Sequence, residues 1–473
     1  VDRVPLTFGD VAAATKGRLV GGDEAQGVDG VSIDSRALVA GDLFVAIRGD
    51  RFDGHRFVED AFARGARGAV VEARSPDCTA AATSRGTDRP TVICVEDTTR
   101  ALQDMAREVR RRSGAKVVAI TGSAGKTTTK EATAELLATR HRVYRNKGNL
   151  NNHIGLPLSL LELRSRPEVA VVELGMNHPG EIRTLVGVAE PDVRVWTNVG
   201  DAHLGFFESA DAIADAKAEI LEAARPGDVL VANADDPRIA ARLGAFGGRV
   251  VTFGMGAPAD VRATSIAVRG LEGTTATVET PAGKFHLETS LLGLGNLSNV
   301  LAATAVALQF DVPLDAIAAA AAALRPAHRR GELIRLPGGV TLIDDSYNSS
   351  PSALRRALET LSAATGSARK IAVLGEMLEL GAHATALHED CGAAAAAAGL
   401  HVLVTVGGEP ARAMADAAVR SGMPHGSVLY VRSSREAADA AAARTRAGDL
   451  VLVKGSRGIG VDVVVERLKA EFA

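Results

Sequence analysis

Short apolar runs recur along most of this chain, each closed by Gly, Asn or an acidic residue. KVVAI (116–120), VAVVELG (169–175), RVWTNVG (194–200) and DVLVAN (228–233) are continuous rather than alternating. That is the pattern of parallel strands covered on both faces. Helical stretches separate them. A second series, VTLIDD (340–345), KIAVLGE (370–376), HVLVTVGG (401–408), SVLYV (427–431) and DLVLVKG (449–455), alternates with Ala-rich stretches such as 393–398, read as helix. Ser433 and Glu436 have the spacing of a capping box at one helix start. Residues 250–290, rich in Thr and Val with Gly turns, read as antiparallel strands. The first 96 residues mix short strands, DLFVAI (42–47) and AVVE (69–72), with a helix FVEDAFARGA (57–66) and a polar, Pro-containing loop over 75–90. Strand–helix alternation argues for α/β domains. The pattern divides the chain into three, 1–96, 97–326 and 327–473, in keeping with its 473 residues. No repeat of fixed period is present.

The central part carries the most specific chemistry. AITGSAGKTTTKE (119–131) places a tight glycine turn between a buried strand and a helix. Backbone N–H groups of such a loop, with the helix N-terminus, cradle phosphate. Gly122, Ser123, Ala124, Gly125, Lys126, Thr127 and Thr128 form the cradle. Lys126 reaches the terminal phosphates, and the Thr127 hydroxyl ligates Mg²⁺. The strict pattern G-x-x-x-x-G-K-[ST] fails at its first position, Ile120. Ligands of open α/β sheets bind at the carboxyl ends of strands. Glu173, Asn198 and His203 collect at such ends. Taken singly, each is an ordinary turn residue. Taken together after a phosphate loop, Glu173 and Thr127 suit one Mg²⁺ and His203 a second site.

Composition narrows the classes. Hydrophobic residues are 46% and aromatic ones 3%, so the cores must be built from Ala, Val, Leu and Ile. A net charge of −3 gives no basis for nucleic-acid binding. The basic string REVRRR (107–112) reads as a solvated helix face. No apolar run reaches the ~20 residues of a membrane span, and no signal-peptide pattern opens the chain. Cys78, Cys94 and Cys391 are odd in number and lack metal-type spacing, which suggests reduced thiols in the cytoplasm. Of 54 basic residues only ten are Lys. Lys126, Lys217 and Lys454 fall in motif-like contexts, where an ammonium or a free amine would have a use.

These strings together resemble the Mur ligases of peptidoglycan synthesis, over nearly the whole chain. SIDSRALVAGDLFVAIRGDRFDGHRF (32–57) resembles their UDP-sugar-binding domain. TGSAGKTTTK is the family's form of the phosphate loop. NKGNLNNHIGLPLSLL, ELGMNHPGEI and TNVGDAHL resemble the central domain. LIDDSYNSSPSAL, LGEMLELGAHATALHEDCG and LVKGSRGIGVDVVV resemble the C-terminal one. LGEMLELG and KGSRG point to the members that add D-alanyl-D-alanine. The Asp-Asn-Pro-Arg signature of the diaminopimelate-adding members does not occur in the C-terminal part.

The resemblance implies three α/β domains: a small UDP-sugar-binding domain, a central phosphate-loop mononucleotide-binding domain with a parallel sheet, and a C-terminal Rossmann-like domain. It implies ATP, two Mg²⁺ ions, UDP-MurNAc-tripeptide and D-alanyl-D-alanine as ligands, and a cytoplasmic monomer. Thr127, Glu173, His203 and a carbamylated Lys217 are the implied metal ligands. Without the resemblance, Lys217 in DAIADAKAEILEAA reads as a solvated helix Lys. Ser35, Arg36, Asp53, Gly54, His55, Asn149, Asn151 and Asn348 are implied substrate contacts. Asn296, Asn299, Asp344 and Tyr347 are implied nucleotide contacts. Arg330, fourteen positions before Asp344, matches the family's interdomain Arg, with Arg329 beside it as the other candidate. Three strings depart from the family pattern: GLGNLSN has Gly295 where a His is usual, PAHRRGEL replaces Pro-Gly-Arg, and SYNSS replaces SYNAN. Two other readings stay open: a folylpolyglutamate-type ligase, and a non-catalytic Mur-like scaffold.

Overall fold

A computed structural model describes residues 3–49, 52–83, 91–201 and 204–473. The strands form three sheets with helices on their faces, an α/β architecture. By compactness the chain divides into two units. The first comprises residues 1–119, 141–176 and 180–192; the second comprises 120–140, 177–179 and 193–473.

In the first unit a five-stranded sheet runs Arg18–Val20, Thr91–Val95, Gly68–Glu72, Leu43–Val45, Val31–Ser32. Its first pair is antiparallel and the rest are parallel. The expected helix at 57–66 is split. A 3-10 turn, Gly54–Phe57, precedes an α-helix, Val58–Ala63, and Gly65 at φ +95° ends it. The expected loop over 75–90 is partly wrong. Pro76–Thr83 is helical, and residues 84–90 lie outside the described residues. Cys78 of this helix is disulfide-bonded to Cys94, with Cα atoms 5.8 Å apart. The helix folds back onto the strand, so a spacing of 16 residues in sequence hid the pairing. Three reduced thiols are therefore not what the structure has; Cys391 alone is free, and it is buried.

The basic string at 107–112 also departs from its reading. The helix Thr98–Ser113 is capped by Asp97, which accepts from the N–H groups of Thr99 and Arg100. Arg110 is only 8% exposed. It donates to the carbonyls of Ala189 and Glu190 and to Asp192 at 2.7 Å. Arg107 and Arg111 clasp Glu190. Burial pushes the Glu190 carboxyl up, but the bonds from Arg111 and Arg107 outweigh it and bring it from 4.5 to about 2. A depressed folded value stabilises the fold above pH 4.5, and that gain is lost as pH falls toward about 2. Glu190→Gln is therefore expected to cost on the order of 1 kcal/mol at neutral pH. Urea titrations in steps below pH 4.5 should show the gap between variant and wild type closing; a constant gap would assign the loss to packing.

The strand Lys116–Thr121 passes from the first unit into the second. Its start lies beside Val169–Glu173, with Lys116 N–H bonded to the Glu168 carbonyl, and Val143–Arg145 pairs parallel beyond that. Its end lies beside Val193–Trp196, with Thr197 N–H bonded to the Thr121 carbonyl. From there Val229–Asn233, Arg249–Gly254 and Val261–Val268 continue in parallel, and Thr274–Thr280 and Gly283–Thr289 close the edge antiparallel. The antiparallel reading of 250–290 therefore holds from the second of its strands onward.

The C-terminal sheet runs Glu332–Arg335, Thr341–Asp345, Leu450–Lys454, Lys370–Gly375, Val402–Val406, Val428–Val431; only the first strand is antiparallel. Leu354, Leu358, Leu361 and Leu374 fill one face, and Val373, Val404, Val464 and Leu468 the other. Aliphatic residues thus supply the cores, as the low aromatic content required. The capping box of Ser433 and Glu436 starts the helix Ser434–Arg444. No helix among the described residues is long and apolar enough to cross a membrane.

Candidate active site

The phosphate loop follows the strand Lys116–Thr121 and opens the helix Lys126–Ala138. Its glycines are required by close neighbours. Gly122 has φ +152°, and a Cβ there would lie 1.9 Å from the Thr197 Oγ1. Gly125 has φ +80°, and a Cβ there would lie 2.3 Å from the Asn299 Oδ1. Two side chains from the neighbouring strand end brace the loop. The Asn198 Oδ1 accepts from the Ala124 N–H and its Nδ2 donates to the Ala124 carbonyl, both at 2.9 Å. Thr197 Oγ1 donates to that same carbonyl at 3.0 Å. Ser123 Oγ accepts from Gly200 N–H at 2.9 Å. Lys126 Nζ donates to the Gly122 carbonyl at 2.9 Å, and Lys126, Thr127 and Thr128 remain partly accessible. A braced loop with half-exposed Lys and Thr side chains is preorganised for a polyphosphate.

Asn296 and Asn299, expected at the nucleotide, lie on the helix Gly293–Leu308 and are used internally. Asn299 accepts from Thr129 Oγ1 at 3.2 Å and donates to the Asn296 Oδ1. Asn296 donates to the Leu292 carbonyl. Asn299 therefore braces the phosphate-loop helix. A Cβ at Gly295 would touch the Arg356 side chain at 3.3 Å.

Lys217 lies in the last turn of the helix Ala210–Ala218, whose N-cap is Ser209. The side chain is buried, with 2% exposure, so it is not a solvated helix Lys. The charged neighbour that acts on its amine is Lys126, of like sign. Burial, helped by the positive charge of Lys126, holds its pKa well below the ordinary 10.5. A desolvated amine gives up its proton more readily than a free lysine, and once neutral it is a nucleophile. His203 lies outside the described residues. Among the described residues no cluster of three or more His, Cys, Asp or Glu forms a metal site.

In the first unit, Glu173 ends its strand with 3% exposure. Its carboxylate accepts from Asn151 Nδ2 at 2.5 Å, and its N–H donates to Asn146 Oδ1. Asn151, expected to touch substrate, thus orients Glu173, while Asn149 is exposed nearby in sequence. Asp53, Gly54 and His55 form a closed knot. Asp53 accepts from the His55 Nδ1 at 2.7 Å, and Nε2 accepts from Glu72 N–H at 3.0 Å. Arg48 lies 3.4 Å from both Asp53 and Glu72. Gly54 is packed so closely on Ile47 that a Cβ would lie 2.8 Å from its backbone. Ser35 is buried, while Arg36 is exposed and forks onto Asp34.

The C-terminal candidates gather at the end of Thr341–Asp345. Arg330 stacks on Tyr347, its Cζ 4.1 Å from the ring centroid. Arg329 instead pairs with Asp462 at 3.0 Å, from a left-handed backbone at φ +59°. Asp344 is 2% exposed and accepts from the Ser346 hydroxyl and N–H. Lys454 is buried against Asp345 at 2.6 Å and donates to the Asn348 carbonyl at 3.0 Å. The Asn348 side chain is exposed.

Comparison with known proteins shows the family. Residues 27–110 match the model of the Mur ligase family catalytic domain, 120–307 the Mur ligase middle domain, and 329–457 the Mur ligase glutamate ligase domain. The chain belongs to the Mur ligase family. A Bacillus subtilis UDP-N-acetylmuramoyl-tripeptide–D-alanyl-D-alanine ligase is 33% identical over 98% of each chain. MurF from Acinetobacter baumannii superposes with a TM-score of 0.87 at 31% identity, over 99% of this chain and 100% of that one. MurF from Thermotoga maritima, solved with ADP, gives 0.81 at 30% identity over 94% and 97%.

Within this Mur ligase two groups escaped the sequence reading. His388 is fully buried. Its Nε2 accepts from Met377 N–H at 2.9 Å, and Nδ1 donates to the Ala384 carbonyl at 2.6 Å. Burial lowers its pKa, so the ring is a neutral clamp on the LGEMLELG turn. Glu376 in the same turn accepts from Gly408 N–H at 2.6 Å. A His on the apolar face of an Ala-rich helix was the available signal for the first. Glu376 left none, since its partner is a backbone group far along the chain.

Proposed function

We propose that this protein is an ATP-dependent ligase that joins D-alanyl-D-alanine to the C-terminal carboxylate of UDP-MurNAc-tripeptide, giving UDP-MurNAc-pentapeptide, ADP and phosphate. Its full-length likeness to ligases named for that reaction carries the proposal. The domains are assigned as 1–96 for the UDP-sugar, 97–326 for ATP and 327–473 for the dipeptide. The enzyme acts as a cytoplasmic monomer.

The reaction starts with the tripeptide carboxylate attacking the γ-phosphorus of ATP. ADP leaves and an acyl phosphate forms. The dipeptide's free amine then attacks the acyl carbon, and the tetrahedral intermediate collapses to amide and phosphate. Two anions must approach in the first step, so positive charge at the γ-phosphate matters most. Lys126 and the N–H groups of residues 122–127 supply it from the central domain, and Arg330 from the C-terminal one. Lys217, once it has added CO₂, offers a carbamate oxygen; the buried amine with its depressed pKa supports this. Thr127, Glu173, His203 and that carbamate are the residues assigned to two Mg²⁺ ions, which offset phosphate charge when bound. Ser35, Arg36, Asp53, Gly54, His55, Asn149, Asn151 and Asn348 are assigned to the substrates.

Phosphate release from ATP tests the assignment with a panel of acceptors and amines. Turnover should require UDP-MurNAc-tripeptide and D-alanyl-D-alanine together. Equal turnover with a folate acceptor and glutamate would overturn it.

A further inference from the structure

The turn Leu204–Phe206 connects the strand-end segment 197–201 to the helix bearing Lys217. It is gripped by the C-terminal domain. Gly205 N–H donates to the Glu379 carbonyl at 2.8 Å. A Cβ on Gly205 would lie 2.8 Å from the Gly381 nitrogen and 2.9 Å from the Glu379 oxygen. A Cβ on Gly381 would lie 2.8 Å from the Gly205 Cα. Backbone meets backbone here, so no side-chain rotation can relieve an added methyl. The partner turn is itself bent to make the contact: Glu379 has φ +65° and Gly381 φ +55°. A non-glycine residue in that region is strained, and surrounding contacts must offset the strain. Phe206 meets His178 edge-on, with ring centroids 5.1 Å apart. Two further contacts run alongside. Arg355 pairs with Asp201 at 3.2 Å, and a Cβ on Gly200 would meet Ser352 Oγ at 3.0 Å.

We propose that Gly205 is a positioning residue for the ligase reaction. Its backbone contact with Glu379–Gly381 sets how deeply the C-terminal domain seats on the central strand ends. Through the Leu204–Phe206 turn it also fixes the helix that carries Lys217. One contact thus ties the position of Arg330, which moves with the C-terminal domain, to that of Lys217. The role rests on the ligase reading only where turnover is the readout. Phosphoryl transfer depends on placement, and a misplacement of about 1 Å costs roughly a hundredfold.

Gly205→Ala is a clean probe, because Gly205 has no left-handed backbone and the methyl adds only the clash. The variant should lose between about tenfold and a hundredfold in kcat. KM for the UDP-substrate should change less than about twofold, and Tm by no more than about 2 °C. Gly381→Asn places a Cβ at the same contact in a residue that tolerates the left-handed region. It should give the same kcat-selective loss, and it decides the matter if Gly205→Ala does not fold. Small-angle scattering gives a readout independent of turnover: Gly205→Ala should have a larger radius of gyration than wild type. Wild-type kcat and radius in both clash variants would overturn the proposal, as would losses of KM and Tm in step with kcat. An inactive wild-type enzyme would instead count against the ligase reading alone.

Discussion

Lys217→Ala is expected to lower kcat by about two to three orders of magnitude while the protein stays folded. That is the scale for removing one preorganised group that stabilises developing charge. Stability should change little. A buried amine beside a like charge is a desolvation burden, and its loss offsets part of the cavity left behind. The direction of the pKa shift bears on mechanism. Because the folded value is depressed, the amine loses its proton at lower pH than a free lysine and can add CO₂ there. Short carboxylic acids at high concentration should restore part of the rate in Lys217→Ala by supplying the missing oxygens. Depleting CO₂ should lower the wild-type rate, and bicarbonate should return it. Full activity in the variant would leave Lys217 a packing residue.

Arg330→Ala should reduce kcat by about a thousandfold, the lower end for an arginine placed on transferring phosphate. UDP-substrate binding, assigned to the first domain, should be nearly unchanged. The neighbouring Arg329 provides the control. Its guanidinium is held by Asp462 at the start of the helix Asp462–Glu471, whereas Arg330 lies over the face of Tyr347. Arg329→Ala should therefore lower Tm by a few degrees and leave kcat within about threefold. Scattering should show compaction on adding an ATP analogue with UDP-tripeptide, and less of it in Arg330→Ala. Closure would keep water from the acyl phosphate. A large kcat loss in Arg329→Ala with none in Arg330→Ala would reverse the assignment. No loss in either would remove the closure argument.

The parts legible in sequence were those set by local pattern. Continuous apolar runs marked nearly every central and C-terminal strand, because strands covered on both faces need no polar alternation. The phosphate loop was readable because its glycines, Lys126 and Thr127 are contiguous. What was missed depends on distant pairing. Arg110 sits in a string that looks solvated, and is buried because Asp192 and two carbonyls some eighty residues away receive it. The helix Pro76–Thr83 was hidden by polar composition, and its disulfide by a partner on another element. The side chain of Asn299 fills the space that Gly125 leaves, a pairing of two residues far apart in sequence. The burial of Lys217 could not be read from DAIADAKAEILEAA, whose short repeat does not say which face turns inward.

The central claim is that the tripeptide carboxylate is activated as an acyl phosphate before D-alanyl-D-alanine attacks. Label transfer tests it most directly. The C-terminal carboxylate of UDP-MurNAc-tripeptide is enriched in a heavy oxygen isotope and turned over with ATP and D-alanyl-D-alanine, and the released phosphate is analysed by mass spectrometry. One labelled oxygen should appear in each phosphate, because the bridging oxygen of the acyl phosphate leaves with phosphorus when the amine attacks. Unlabelled phosphate accompanying pentapeptide formation, or label appearing in AMP instead, would contradict the account.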